Sequence, residues 1–156
     1  MRRVDVENIS DYDAHPKVMS CGAVIYHKFN DTIKYLLIKN VPRFGDNWDF
    51  PKGNREKNES EYETAIREVY EEVGLNILLI DGFRSEIHYL VNDNKILKTS
   101  VYFLSETKIT KIKIDIHEID EYDWLTYEEA LIRLTHNPAK NILTNAKNFI
   151  EQSIDY

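Results

Sequence analysis

Between Gly53 and Leu75 the chain reads GNREKNESEYETAIREVYEEVGL, and four of its glutamates stand where a loop and one helix can present them together: Glu59 in the loop, and Glu68, Glu71 and Glu72 in the helix. Like charges at helical spacing repel, so acids that also cluster point to a bound divalent cation. An all-oxygen ligand set suits Mg²⁺ or Mn²⁺, which are held by a few carboxylates plus substrate phosphates. Zinc, which prefers His and Cys, is a poor match. A divalent ion among phosphate oxygens neutralises charge and activates water for attack on phosphorus, and a neighbouring glutamate can take the proton. Taken alone, the E-x-x-E-E run would equally suit a solvated helix face.

The elements that must position these acids are legible around them. Ser60 followed by Glu63 makes a capping box, and Gly74 supplies the stop, so a helix is predicted from Ser60 to Gly74. Tyr62, Ala65, Ile66, Val69 and Val73 fall on one apolar stripe that should face the core. On a helical wheel Glu68 and Glu72 lie one turn apart on the flank of that stripe, Glu71 sits beside them, and Arg67 points the other way. Before the helix, VPRFGDNWDFPKG (41–53) carries two prolines and two glycines among three aromatics and reads as a structured, functional loop. Trp48 in that loop either stands near the bound group or plugs the edge of the core.

The remainder supplies a scaffold. Residues 1–16 read as a lead-in or edge segment. VMSCGAVIYHK (18–28) and IKYLLIKN (33–40) form a predicted hairpin, with Gly22 marking a bulge or a close backbone approach. LNILLID (75–81), GFRSEIHYLVN (82–92) and ILKTSVYFLSE (96–106) are strand candidates. KITKIKIDIHEID (108–120) fits an edge strand blunted by lysines or an extended loop. EYDWLT then leads to a second capping box, Thr126 with Glu129, and Asn137-Pro138 opens a last helix over 138–152. Helices interleaved with hairpins imply a single domain over 1–156, built on a mixed sheet covered on both faces.

Charge narrows the partners. With 27 acids against 20 basic residues the formal net charge is −7, which disfavours broad binding to a nucleic-acid backbone or an anionic membrane. A polyanionic substrate would need local Lys or Arg, a metal, or both. Cys21, the only cysteine, has no partner for an intramolecular disulfide. No apolar run approaches a membrane span, and the N-terminus has no apolar signal core, so a cytoplasmic protein is expected.

The spacing Gly53, five residues, Glu59, seven residues, then Arg67-Glu68-Val69-Tyr70-Glu71-Glu72-Val73-Gly74-Leu75 resembles the Nudix hydrolase signature G-x5-E-x7-R-E-U-x-E-E-x-G-U, U being apolar, at every fixed position. The resemblance implies an α/β/α sandwich and metal-dependent hydrolysis of a nucleoside diphosphate linked to another group. It implies Glu68, Glu71 and Glu72 as metal ligands or base, the Gly53 carbonyl in the metal shell, and Glu59 with Arg67 as a brace. The flanks WDFPKG, GFRSEIHY, KTSVYFL and HEIDEYDWLTYEEAL are similar to the asymmetric diadenosine tetraphosphate hydrolases of the animal and archaeal type. That similarity implies Glu118 as a further metal ligand, Tyr89 and Tyr122 as stacking partners of adenine, and Arg84, Lys98 and Lys52 as phosphate contacts. Asn54 and Asn58 depart from the His and Gly common in relatives; Asn tolerates the left-handed backbone that glycine favours. Within the enzyme class the alternatives are hydrolysis at an RNA 5′ end, of oxidised mononucleotides or of diphosphoinositol phosphates. A non-catalytic nucleotide sensor is the alternative outside it.

Overall fold

The computed structural model describes residues 3–154. Its sheet runs in the order β1 (Val4–Val6), β6 (Ser85–Val91), β7 (Ile96–Glu106), β2 (Lys17–Phe29), β3 (Thr32–Asn40) and β4 (Trp48–Asp49); β5 (Lys52–Asn54) pairs with β2, and β8 (Ile119–Leu125) with β3. Every pairing is antiparallel except β2 with β7, which run parallel from Lys17↔Leu97 to Tyr26↔Glu106. Helix α1 (Glu61–Val73) covers one face, and α2 (Tyr127–Arg133) with α3 (Asn137–Ile154) covers the other. Strand alternation separates the two cores. Cys21, Ala23 and Ile25 face α1 with Val101, Phe103, Val69 and Val73, whereas Val24, Tyr102 and Leu104 face α3 with Ile142, Leu143 and Ala146. The expected α/β/α sandwich with a mixed, largely antiparallel sheet is therefore what the chain forms. No helix among the described residues is long and apolar enough to cross a membrane.

One departure from a plain sheet creates the site. β2 and β3 pair only from Tyr26↔Tyr35 to Phe29↔Thr32. Beyond that they splay, and the loop between β3 and α1 fills the opening. β4 takes the free edge of β3 (Ile38↔Asp49, Lys39↔Trp48) and β5 the free edge of β2 (Ser20↔Asn54, Cys21↔Gly53, Gly22↔Lys52). Gly22 permits this: a Cβ there would collide with the Pro51 carbonyl oxygen and the Lys52 backbone. Of the two readings of Gly22, bulge or close approach, the second holds.

Some local expectations need correction, and others are settled between the alternatives. Helix α1 has the expected Ser60–Glu63 capping box and a left-handed Gly74, but its buried face is Thr64, Ala65, Glu68, Val69, Glu72 and Val73. Tyr62 and Ile66 are 53% and 40% exposed; Tyr62 lies flat on Phe103 with centroids 4.5 Å apart. The helix is thus rotated so that two glutamates enter the packed side. Residues 75–81 form no strand. They run alongside β7, tied by the Ile80 amide to the Leu104 carbonyl at 2.8 Å and by Ser105 Oγ to the Leu78 carbonyl at 2.8 Å. The lysine-isoleucine segment is a loop, hydrogen-bonded to the end of α1 through Lys113 N to Val73 O (3.1 Å) and Asp115 N to Glu72 O (3.0 Å). The N-terminal segment, whose residues 1 and 2 lie outside the described residues, adds the edge strand β1 (Val4–Val6) against β6, as its edge reading expects.

Candidate active site

Gly53 lies so close to α1 that a Cβ on it would collide with the Glu68 carboxylate. The fork strand β5 and the buried face of α1 therefore meet without an intervening side chain. Glu68 and Glu72 are 8% and 5% exposed, and Glu72 Oε1 accepts the Lys52 amide at 3.1 Å. Burial pushes the Glu72 carboxyl well above the usual carboxylate range; the Lys52 amide opposes this, while Glu68 and Glu118 add to it. Glu68 is also raised, chiefly by burial, with Arg67 opposing and Glu71 and Glu118 reinforcing. Glu118 reaches this neighbourhood because its loop is pinned to the end of α1 and its carbonyl accepts the Val41 amide at 2.9 Å.

Arg67 does not point away from the acids. It donates from Nε to Glu59 (2.6 Å), from Nη1 to Glu68 (2.8 Å) and Glu71 (3.1 Å), and from Nη2 to Glu59 (2.9 Å) and the Asn54 carbonyl (3.0 Å). The wheel placed its Cβ, but a guanidinium spans a full turn and offers five donors. Glu59 in return accepts the Glu56 amide and the Thr64 hydroxyl. The Arg67 hydrogen bonds, then the Glu56 amide, hold its carboxyl down at about 2. A depressed carboxyl contributes stability above its unfolded value, and that contribution is lost as pH falls through about 2. Asn58 adopts φ 72°, the left-handed conformation that lets the loop turn into α1. Because an ammonium cannot reproduce this fork, Arg67→Lys should lower turnover about tenfold with a smaller loss of thermal stability; steady-state kinetics beside melting curves check it.

The acids form one wall of a cleft of about 270 Å³, lined by Ser20, Asn40, Phe44, Phe50, Lys52, Gly53, Asn54, Glu68, Glu72, Lys98 and Glu118. Lys52 and Lys98 supply positive charge to the same cleft. Lys52 Nζ donates to Tyr89 Oη (3.0 Å) and Ser100 Oγ (3.2 Å) and lies 3.4 Å from Asp49 Oδ2. Burial lowers the Lys98 ammonium. Tyr89 itself is 4% exposed; burial would raise its phenol, but Lys52 and Lys98 together bring it down to about 8.

Other sequence candidates fall outside the cleft lining. Glu71 is half exposed and turned toward Arg67. Tyr122 sits on β8, 40% exposed. Arg84 is held in a fork by Glu61 at 2.9 and 3.0 Å and paired with Glu86. Trp48 packs toward α2, under the Arg133 guanidinium at 4.7 Å, which is the core-edge alternative. Sequence reasoning passed over Asp49, which is buried, accepts the Tyr102 hydroxyl at 3.2 Å and supports Lys52. It also passed over Ser20, whose hydroxyl donates to Asn54 Oδ1 at 2.9 Å. Asp49 lies in the WDFPKG flank but was given no role, and Ser20 stands in no motif; the turn after β4 and the pairing of β2 with β5 bring them in.

Among the described residues, no group of three or more His, Cys, Asp or Glu side chains is arranged to hold a metal. Arg67 engages Glu68 and Glu71, and the Lys52 amide engages Glu72. The donor chemistry nevertheless fits Mg²⁺ or Mn²⁺. Two buried carboxylates, each made costlier by the other acids nearby, border a cleft with room for further oxygens.

Residues 19–146 match the NUDIX domain. The chain is 31% identical to mouse (Mus musculus) bis(5′-nucleosyl)-tetraphosphatase [asymmetrical] over 141 residues, covering 84% of this chain and 94% of the relative. It is 31% identical to the RNA pyrophosphohydrolase of Shewanella pealeana over 103 residues, covering 54% and 60%. A crystal structure of a C. elegans Ap4A hydrolase binary complex superposes with a TM-score of 0.79 at 24% identity, covering 86% of this chain and 98% of that one, a likeness of fold. The complete acid-and-arginine box folds here onto the sheet fork that the same domain match covers, and the chain belongs to the Nudix family as a Nudix hydrolase homologous to the asymmetrical bis(5′-nucleosyl)-tetraphosphatases.

Proposed function

We propose that the protein is a Mg²⁺- or Mn²⁺-dependent hydrolase that splits dinucleoside polyphosphates asymmetrically, giving ATP and AMP from diadenosine tetraphosphate. The observation that carries this reading is one cleft lined both by buried Glu68 and Glu72 and by Lys52 and Lys98. A polyphosphate chain needs both, cations for its oxygens and a carboxylate-held ion at the phosphorus under attack. The extent of similarity supports the substrate class, since it spans 84% of the chain for the tetraphosphatase and 54% for the RNA pyrophosphohydrolase.

In this reading Glu68, Glu71, Glu72 and Glu118, with the Gly53 carbonyl, hold the ion. When bound, the ion supplies charge neutralisation and water activation. One of the glutamates accepts the proton of the attacking water. Lys52 and Lys98 offset phosphate charge, Glu59 and Arg67 brace the loop against the helix, and Tyr122 offers an accessible ring to a base. Arg84 and Trp48 are left to ion pairing and packing.

Chromatographic product identification with diadenosine tetraphosphate and with triphosphorylated RNA, each with Mg²⁺ and with chelator, tests this. Equal ATP and AMP, released only with metal, is the expected result. Two ADP would mean symmetric cleavage. Preferential release of diphosphate from RNA would favour the RNA 5′-end reading, and nucleotide binding without products would leave a non-catalytic sensor.

A further inference from the structure

Tyr89 is shut off from the surface. At 4% exposure it carries the Arg3 guanidinium over its ring, 3.7 Å from the centroid. Arg3 is fixed there from two sides. The strand that follows it, β1, pairs Asp5 with Tyr89, and the Arg3 Nε donates to Asp5 Oδ1 at 2.8 Å. The Arg3 side chain is only 11% exposed, so the cation lies against the ring with little competing water, where such contacts are strongest. β1 and Arg3 precede the family match, which begins at residue 19.

The other end of Tyr89 meets Lys52, a residue of the cleft lining. Its hydroxyl accepts from Lys52 Nζ at 3.0 Å and lies 3.1 Å from Ser100 Oγ, which also accepts from Lys52 at 3.2 Å. Asp49 lies 3.4 Å from the same ammonium. A lysine chain is flexible, and three fixed oxygens around Nζ convert it into a charge at one place. A ring that is buried, capped and bonded in this way offers no face to a nucleobase.

We propose that Tyr89 is a positioning residue: clamped by Arg3 at the entry to the N-terminal strand, its phenol fixes the Lys52 ammonium for a substrate phosphate, and it does not stack on a base. This rests on the reading that the cleft takes a polyphosphate.

Calorimetric titration with inorganic pyrophosphate in Mg²⁺ tests it without turnover. Tyr89→Phe keeps the ring under Arg3 and removes only the hydroxyl; it should weaken pyrophosphate binding about tenfold, the scale of a hydrogen bond to a charged group. In a Lys52→Ala background the same change should have no further effect. Arg3→Ala should weaken binding in the same direction and Arg3→Lys should restore part of it, with melting curves confirming that each variant is folded. In turnover, Tyr89→Phe should lower kcat/KM equally for diadenosine tetraphosphate and for adenosine tetraphosphate, which lacks the second base. The proposal is overturned if Tyr89→Phe binds pyrophosphate like wild type, if the wild-type protein binds none, or if only Tyr89→Leu is impaired and only toward the two-base substrate. If pyrophosphate binding responds as expected but no ATP and AMP appear, the substrate reading fails while the role of Tyr89 stands.

Discussion

Glu72→Gln is expected to remove nearly all turnover, a loss on the order of a thousandfold or several kcal/mol in the barrier, while leaving the protein folded. The side chain keeps its shape and its oxygen can still accept the Lys52 amide, so α1 and β5 stay in register. What disappears is the buried negative charge. Stability should move the opposite way from activity. Burial raises the Glu72 carboxyl well above its ordinary value of 4.5 in the metal-free protein, so the folded state binds a proton more tightly than the unfolded chain. The associated stability is fully present below the unfolded value and is lost as pH rises through the folded one. Metal-free wild type should therefore melt lower at neutral pH than just above pH 4.5, beyond the effect of other groups, and Glu72→Gln should show less of this fall. At pH 7 without metal the variant should melt at or above wild type. Adding Mg²⁺ should raise the wild-type melting temperature and move the variant little. Thermal melts across pH, with and without Mg²⁺, read all of these.

Gly22→Ala should be severely damaging for the addition of one methyl. The added Cβ would stand 2.7 Å from Lys52 Cα and overlap the Pro51 carbonyl oxygen, and both are backbone. They cannot rotate away, so β5 must move from β2. Overpacking of this kind costs about 3 kcal/mol, a fall in melting temperature on the order of 10 °C for a chain of this size. Activity should suffer beyond what unfolding explains, because the displaced strand carries Lys52 and Gly53. Turnover measured well below the melting transition should fall by about tenfold or more. Wild-type activity in that folded range would mean the fork does not set the site.

How much of this was legible depended on whether the signal was local. The α1 boundaries are written in Ser60, Glu63 and Gly74, and the structure follows them. The acid spacing is likewise a property of one segment. The inward rotation of α1 was not legible, because it depends on what the helix packs against: a glycine strand that accepts Glu68 without a side chain between. Tyr62 and Ile66 lost their predicted place in the core to Thr64, Glu68 and Glu72 for that reason. Segment 75–81 looked like a strand from its apolar run, but it meets β7 only at Leu104 and Ser105, beyond the β6 pairing that ends at Ser85↔Tyr102, and makes only scattered hydrogen bonds there. The two- and three-residue strands of the fork are too short to show a period. Gly22 announced a close approach without naming its partner. Tyr89 read as an alternating strand residue, and nothing in β6 could reveal that Arg3, eighty-six positions earlier, would cover it.

The parallel pairing of β2 with β7 also bears on how the enzyme comes into being. Every acid of the box has been made by residue 72, and the helix carrying them can form from local contacts. The lysine wall waits for β6 and β7: Lys52 rests on Tyr89 and Ser100, and Lys98 lies on β7 itself. Those strands join β2 across roughly eighty residues of intervening chain, the sort of long-range closure that slows folding. The box acids should therefore come together early, and Glu118 with the phosphate-seeking half late, so a partly folded chain would hold metal ions weakly before it could hold a nucleotide.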